Sequence, residues 1–159
     1  MLTTVIPASP GQCFELSLSV DAHTASMADS GERAVAGVVS GVMGLGDTVT
    51  WRARHFGIPF VMTSRISEHE APNRFVDEQE SGPFRRWRHE HRYESVPEGT
   101  LMTDTVEFES PAGPLGRAVD RLVLHRYLTR LLEQRNRWLA ATLSPTEAGR
   151  RPDGGLTEA

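Results

Sequence analysis

The sequence predicts an α+β fold in which a curved antiparallel sheet of about seven strands wraps around a long C-terminal helix. From residue 48 to residue 110, apolar and polar residues alternate in segments separated by turn signals, which is typical of antiparallel strands. From about Gly116 to Thr142, apolar residues recur instead with the helical period. This helix of roughly 40 Å is the one substantial element that can cover the apolar face of the sheet.

The composition predicts a single globular domain and excludes several classes of site. The chain has 159 residues and a formal net charge of −4, which gives no reason to expect nucleic acid as a partner. All 17 basic residues are arginines, so a Schiff-base lysine and the lysine of a phosphate-binding loop are excluded. Cys13 is the single cysteine, which excludes an internal disulfide and any multi-cysteine metal site.

Three regions are expected along the chain: an irregular N-terminus at 1–12, the folded domain at 13–143, and a disordered tail at 144–159 that is rich in Gly, Pro and charge. The sequence has no run of eighteen apolar residues, and its first residues lack the pattern of a signal peptide. We therefore expect a cytoplasmic protein with no membrane span. An open sheet edge would allow a homodimer, but no pattern predicts one.

The individual elements follow from local patterns. The alternating segment 13–20 predicts the first strand, with Cys13 on its solvent side, and a short helical piece follows with Asp21 as its expected N-cap. Residues 32–47 contain four glycines, but their spacing is not that of a nucleotide loop, and a glycine-kinked strand with a turn at 44–47 is predicted. Further strands are predicted at 48–56, 60–68, 74–79, 84–94 and 100–110. The predicted order is thus β-α-β6-α.

Several strings resemble the START-like, or helix-grip, superfamily, which includes the birch-pollen allergen and the polyketide cyclase/aromatases. They are GDTVTWRARHFG (46–57), FVDEQESGPFRRWRHEHRYE (75–94), GTLMTD (99–104) and PAGPLGR (111–117). They are similar to its bacterial branch, described as polyketide-cyclase-like or ligand-binding. The resemblance extends over about residues 13–143 and implies the helix-grip fold. Members bind lipids, isoprenoids, hormones or polyketides, and only some are enzymes.

Alternation also predicts which polar residues face the interior. In GPFRRWRHEHRYES (82–95), charged residues alternate with Trp87, His89, His91 and Tyr93, which face inward if the charged set faces water. A buried polar group costs on the order of 1–3 kcal/mol unless it is paired, so each needs a partner or a function. The polar residues expected on the inner face are His55, Ser64, His89, His91, Tyr93 and Asp104.

One hypothesis is acid–base catalysis without a cofactor. Strands 84–94 and 100–110 should pair as a hairpin, which brings Asp104 within reach of one of the two histidines, and a His–Asp pair is the arrangement of a general base. His89 or His91 would be the base in polyketide cyclisation or dehydration, Asp104 its orienter, and His55 or Tyr93 the acid. The expected ligand-binding residues are Trp51, Phe60, Met62, Ser64, Trp87, Met102, Phe108, Asp77 and Gln79.

Other interpretations of these residues stay open. The polar cluster could bridge the sheet without any chemistry. His55, His89 and His91 could form a zinc site if their strands are neighbours, although no metal is expected. Asp77 and Gln79 face inward on one parity of strand 74–79 and outward on the other.

The rival function is a non-catalytic carrier or sensor of a lipid or isoprenoid. It needs the cavity but leaves the histidines paired with each other or with backbone. A partner-binding domain would instead have a filled interior and an exposed apolar patch.

Overall fold

Seven strands and three helices make up the part of the chain that the structure describes. This computed structural model describes residues 1–55, 57–109 and 124–144. The strands are β1 (Leu2–Ile6), β2 (Arg33–Gly37), β3 (Thr48–His55), β4 (Ile58–Glu70), β5 (Arg74–Ser81), β6 (Arg86–Val96) and β7 (Gly99–Glu109). The helices are α1 (Pro10–Leu18), α2 (Val20–Ser26) and α3 (His125–Leu143), with one 3₁₀ turn at Ala28–Ser30.

The strands form one sheet in the order β1-β7-β6-β5-β4-β3-β2, with every neighbouring pair antiparallel. From β2 to β7, neighbours in the chain are neighbours in the sheet, and β1 lies at the far edge beside β7. Bulges interrupt the β2–β3 and β4–β5 pairs, and bulges bend a strand and increase its twist. The predicted α+β architecture, a curved antiparallel sheet with a C-terminal helix in β-α-β6-α order, is confirmed.

The predicted first strand is in the wrong place. Leu2–Ile6, expected to be irregular, forms β1 and pairs with β7. Most of segment 13–20 lies in helix α1, because a capping box starts a helix there: Ser9 Oγ accepts from the Gln12 backbone N–H, and Gln12 Oε1 accepts from the Ser9 backbone N–H. Cys13 is therefore buried and does not face solvent.

The short helical piece is present, but Asp21 does not cap it. Helix α2 begins after Ser19, whose hydroxyl accepts a hydrogen bond from the Ala22 backbone N–H. Asp21 accepts from the Gly41 backbone N–H instead. The predicted strand within 32–47 is present as β2, but its register shifts between Ala34 and Ala36, not at a glycine. Gly37 ends the strand at φ +73°, a conformation that favours glycine.

Helix α3 packs against β1, α1 and α2, and its buried residues are Arg135, Asn136 and Leu139. The part of the predicted helix at 116–123 lies outside the described residues, as do 145–159 of the expected tail. Within the described ranges, no helix is long and apolar enough to cross a membrane.

The β6–β7 hairpin sets the register of the inner face. Its turn contains Gly99 at φ +132°, and a Cβ there would lie 2.3 Å from the Ile6 carbonyl oxygen, so only glycine fits without a shift of backbone. In the resulting register, His91 lies opposite Asp104 on β7, and His89 lies opposite Asp77 on β5. Cross-strand partners share one face of a sheet. Phe75, Asp77 and Gln79 therefore share the inward parity.

The outer face of β4, β5 and β6 has a connected set of ion pairs. Glu90 Oε2 lies 3.1 Å from Arg74 Nη2 and 3.2 Å from Arg88 Nη2, and both arginines also contact Glu68. Burial alone would raise the pKa of Glu90, but hydrogen bonds from Arg92, Arg74 and Arg88 outweigh it and lower that pKa to about 2.

We predict that Glu90→Gln lowers the free energy of unfolding at pH 7 by on the order of 2 kcal/mol. Because the pKa of Glu90 is lower in the folded protein than in the unfolded chain, Glu90 stabilises the fold fully above a pH of about 4.5. This stabilisation is lost as the pH falls towards about 2. Urea unfolding of both proteins at a series of pH values should therefore give a difference that shrinks between pH 4.5 and pH 2. Glu94→Gln, at an exposed position on the same strand, is the control. An equal effect of both substitutions would contradict the prediction.

Candidate functional site

A cavity of about 240 Å³ lies between the inner face of the sheet and helix α3. Its wall is mainly apolar and aromatic, contributed by β3 to β6, by helix α2 and by the first half of α3. Leucines of α3 close the cavity opposite the sheet, among them Leu128, Leu131 and Leu132. The polar lining includes Ser17, Ser19, His23, Glu32, Ser64, Asp77, His89, His91, Tyr127 and Arg135.

Most of the residues that the sequence predicts as ligand-binding lie on this wall. They are Trp51, Phe60, Met62, Ser64, Asp77 and Trp87. Gln79, Met102 and Phe108 are not among the lining residues. Gln79 shares the inward parity, but its amide is used by the β5–β6 loop, where it bonds the backbone C=O and N–H of Phe84. Met102 is fully buried in the core, and Phe108 packs behind the wall against Phe84 and Trp87.

Neither Tyr93 nor His55, the two residues predicted as the general acid, is described on the cavity wall. Tyr93 lies in an aromatic cluster with Phe14 and Phe75, away from the lining, and burial raises the pKa of its phenol. A phenol that the ligand does not meet is a poor candidate for the acid. His55 is the last residue of β3, where it pairs with Ile58, and its side chain lies outside what the structure describes.

Asp104 joins the sheet to helix α3. This fully buried carboxylate lies 3.0 Å from His89 Nε2 and 2.8 Å from His91 Nδ1, although the second contact is too far off line for a hydrogen bond. From the helix, Asn136 Nδ2 donates to Asp104 Oδ2 at 2.7 Å, and Arg135 Nη1 lies 3.5 Å from Oδ1. The sequence predicted that Asp104 would reach one of the two histidines, and in the structure it lies next to both.

Asp77 faces the same two histidines from the cavity side. Its Oδ2 lies 3.2 Å from His91 Nε2 and 3.7 Å from His89 Nδ1, and the two imidazole centroids are 3.7 Å apart. Each imidazole therefore lies between two carboxylates. Asp77, His89 and His91 also each place one potential metal-ligating atom within 4.8 Å of the others.

The electrostatics of this His/Asp cluster, defined here as Asp77, His89, His91, Asp104 and Arg135, favour ionised carboxylates. Burial would raise the pKa of both aspartates, but contacts with the imidazoles hold the pKa of Asp104 well below its usual range and also lower that of Asp77. Burial and the neighbouring His91 lower the pKa of His89. The His89 imidazole is thus mostly neutral near pH 7 and has a lone pair to offer.

Sequence reasoning missed two parts of the site. Arg135 and Asn136 were not singled out, although Arg135 follows Leu131 and Leu132 at helical spacing on the apolar stripe, where a charged residue signals a buried partner. The second part is a pair on the opposite wall, in which His23 Nε2 lies 2.9 Å from Glu32 Oε1 and the ring packs on Trp51 at 4.2 Å. No pattern in that short polar segment indicated it.

The chain was compared with a family profile, with curated protein sequences and with solved structures. A family profile described as "Polyketide cyclase / dehydrase and lipid transport" matches residues 11–134. No curated protein sequence matches. Among solved structures, TTHA0849 from Thermus thermophilus is similar with a TM-score of 0.70 and 20% identity, covering 90% of this chain and 97% of that one.

Two further structures extend the likeness. Ara h 8.0201 has a TM-score of 0.65 and 14% identity, covering 89% of this chain and 94% of its own. The major latex-like protein 151 of Panax ginseng has 0.63 and 15%, covering 91% and 95%. At these identities the likeness establishes the fold alone. It confirms the START-like, helix-grip architecture that the sequence strings predicted.

We predict that Asp104→Ala lowers the free energy of unfolding by about 3–5 kcal/mol, because it leaves buried donors of Asn136, His89 and Arg135 without their acceptor. Urea unfolding measures the loss. Glu107→Ala is the matched control, since Glu107 is an exposed acid on the same strand with one surface ion pair and should cost less than about 1 kcal/mol. Equal losses would mean that Asp104 does not hold the helix to the sheet.

Proposed function

Because this chain belongs to the polyketide cyclase/dehydrase and lipid transport family, we propose that its cavity binds an aromatic or polyketide-like small molecule and exchanges protons with it. The observation that carries the proposal is that ionisable groups, the imidazoles of His89 and His91, lie in the wall of a mainly apolar cavity. An apolar pocket with a few convergent polar groups is the usual form of a small-molecule site.

The shape of the cavity favours a compact, ring-bearing ligand. Its volume of about 240 Å³ lies just below the ~300–1,000 Å³ that is typical of ligand sites. Trp51, Phe60, Phe84 and Trp87 line it, and aromatic side chains offer flat faces and edges to a planar ligand.

The chemistry that suits the His/Asp cluster is enolisation followed by cyclisation or dehydration. His89 Nε2 donates to Asp104, which leaves Nδ1 as the basic atom on the side of Asp77 and the cavity. A carboxylate partner fixes the tautomer and stabilises the imidazolium that forms when the base accepts a proton. Ser64 on the sheet and Arg135 on the helix both line the cavity and are suited to hold a carbonyl oxygen while charge develops on it.

A non-catalytic carrier or sensor of a lipid or isoprenoid is the second candidate. One observation favours it: every histidine nitrogen of the cluster already faces a carboxylate, as in a self-contained polar bridge. Against it, a carrier does not need His89 to contact both Asp104 and the cavity. The cytoplasmic location and a possible homodimer stay predictions.

Ligand binding is tested by filling the cavity. We predict that Leu131→Trp abolishes binding of a hydrophobic fluorescent probe such as anilinonaphthalene sulfonate, because Leu131 lines the cavity opposite the sheet. Arg130→Trp, at the adjacent exposed position of α3, adds the same side chain outside the cavity and should bind as the wild type does. Probe binding that survives Leu131→Trp, or is absent from the wild type, would contradict the proposal.

Catalysis is tested with a linear poly-β-ketone thioester, followed by the absorbance of the aromatic product. We predict that His89→Ala and Asp104→Asn lower kcat by about 10²–10⁴-fold and that both variants still bind the probe, since the apolar wall is unchanged. His125→Ala, an exposed histidine on α3, should keep the full rate. Wild-type binding of the substrate without turnover would favour the carrier.

A further inference from the structure

The His/Asp cluster holds more hydrogen-bond acceptors than donors. Four imidazole nitrogens each face a carboxylate oxygen: His89 Nε2 and His91 Nδ1 face Asp104, and His89 Nδ1 and His91 Nε2 face Asp77. A neutral imidazole has a single N–H, so two neutral rings supply two donors for these four contacts. The remaining two contacts set a nitrogen lone pair against a carboxylate. A bound cation placed among these acceptor atoms would satisfy both of the unpaired contacts.

From this imbalance we infer that Asp77, His89 and His91 bind a divalent first-row transition metal ion such as Zn²⁺. Two imidazoles and one carboxylate are a ligand set found in catalytic zinc sites and in non-haem iron sites. The inference departs from the expectation of a protein without a metal. It also differs from the three-histidine alternative, because the third ligand is a carboxylate on the neighbouring strand.

The spacing of the ligand atoms fits a metal ion. In a tetrahedral zinc site with bonds of about 2.0–2.2 Å, neighbouring ligand atoms are ~3.3–3.5 Å apart. Asp77 Oδ2 lies 3.2 Å from His91 Nε2 and 3.7 Å from His89 Nδ1. The i, i+2 spacing on β6 places both imidazoles on one face, and the β5–β6 register sets Asp77 opposite His89.

Asp104 lies on the side of the imidazoles away from Asp77. It accepts a hydrogen bond from His89 Nε2, and its Oδ1 also lies 2.8 Å from His91 Nδ1, although that contact is off line for a hydrogen bond. A metal-binding histidine almost always donates its other N–H to a carboxylate or carbonyl, which fixes the tautomer and strengthens the ligand. Asn136 and Arg135 hold Asp104 in turn, so this outer layer is itself fixed by helix α3.

The charge of the cluster also suits a divalent ion. The two aspartates outnumber the one guanidinium of Arg135, so a cation beside them would offset the excess carboxylate charge. Asp77, His89 and His91 line the cavity and Asp104 does not, so an ion on this side would keep an open position towards the ligand. Such positions are the mark of catalytic rather than structural zinc sites.

The role of the ion rests on the ligand binding of the proposed function and would replace its proton transfer, whereas the binding of the ion rests on neither. A metal ion would use the imidazole lone pairs, so that His89 and His91 could no longer accept protons. It would instead polarise the ligand's oxygen as a Lewis acid. Metal occupancy and proton transfer by these imidazoles therefore exclude each other.

The test is a zinc titration by isothermal calorimetry of the full chain, without a histidine tag and after removal of metals by a chelator. We expect one Zn²⁺ per chain, and binding at least about tenfold weaker in Asp77→Asn and in His89→Ala. Asp104→Asn keeps all three ligands but alters their support, and should weaken binding by about 10–100-fold. His125→Ala, which removes an exposed histidine, should bind as the wild type does. Co²⁺ in place of Zn²⁺ should give visible absorption bands that His89→Ala loses.

The inference is overturned if the wild type binds no zinc, or if binding survives in both Asp77→Asn and His89→Ala. Circular dichroism of each variant identifies any that do not fold, and Asp77→Asn, of nearly the same shape, serves if His89→Ala is unfolded. Probe binding by the metal-free protein is measured in parallel. If the protein binds the probe but no zinc, the metal site is rejected and the proposed ligand binding stands. If it binds zinc but no probe, the metal site stands and the proposed ligand binding is rejected.

Discussion

The buried carboxylate of Asp104 is the constraint on which the rest of the structure depends. An ionised carboxylate without solvent is stable only when its oxygens are paired, and Asp104 finds its partners on β6 and on α3. Asn136 extends the connection to Thr4 on β1 at the edge of the sheet. One side chain thus fixes the position of the helix over the sheet and the tautomer of the imidazole at the cavity wall.

The position of this attachment also explains why the interior is not filled. Arg135, Asn136 and Leu139 are buried, and all three lie in the second half of α3. The first half contributes Leu128, Leu131 and Leu132 to the cavity wall, and Leu124 lines it just before the helix begins. The helix is therefore held to the sheet near one end by polar contacts, while its other half stands away from the bent strands. Large aromatic residues on the sheet narrow the space between them without closing it.

The sequence predicted the sheet well because period-two alternation survives over long strands such as β6, and because cross-strand partners share a face. It failed at residues 13–20, where Phe14 and Leu18 satisfy both an alternating pattern and a helical one, and the capping box at Ser9 and Gln12 decides for the helix. It found Asp104 and the histidines through parity. It missed Arg135, because a charged helical residue is usually a surface residue, and the exact contacts of Asp77 depend on bulges that alternation does not reveal.

A comparison of the two aspartates separates structure from function in the cluster. The joint between helix and sheet is complete with Asp104, Asn136 and one imidazole, since those contacts pair a buried charge and connect three elements. Asp77 adds a second carboxylate on the cavity side, and its contacts with His89 and His91 tie no further element to the helix. Burial of a charge costs several kcal/mol unless it is compensated. A carboxylate on the cavity side of this joint, set beside a desolvated imidazole at the wall of a mainly apolar cavity, is therefore best explained by what enters that cavity.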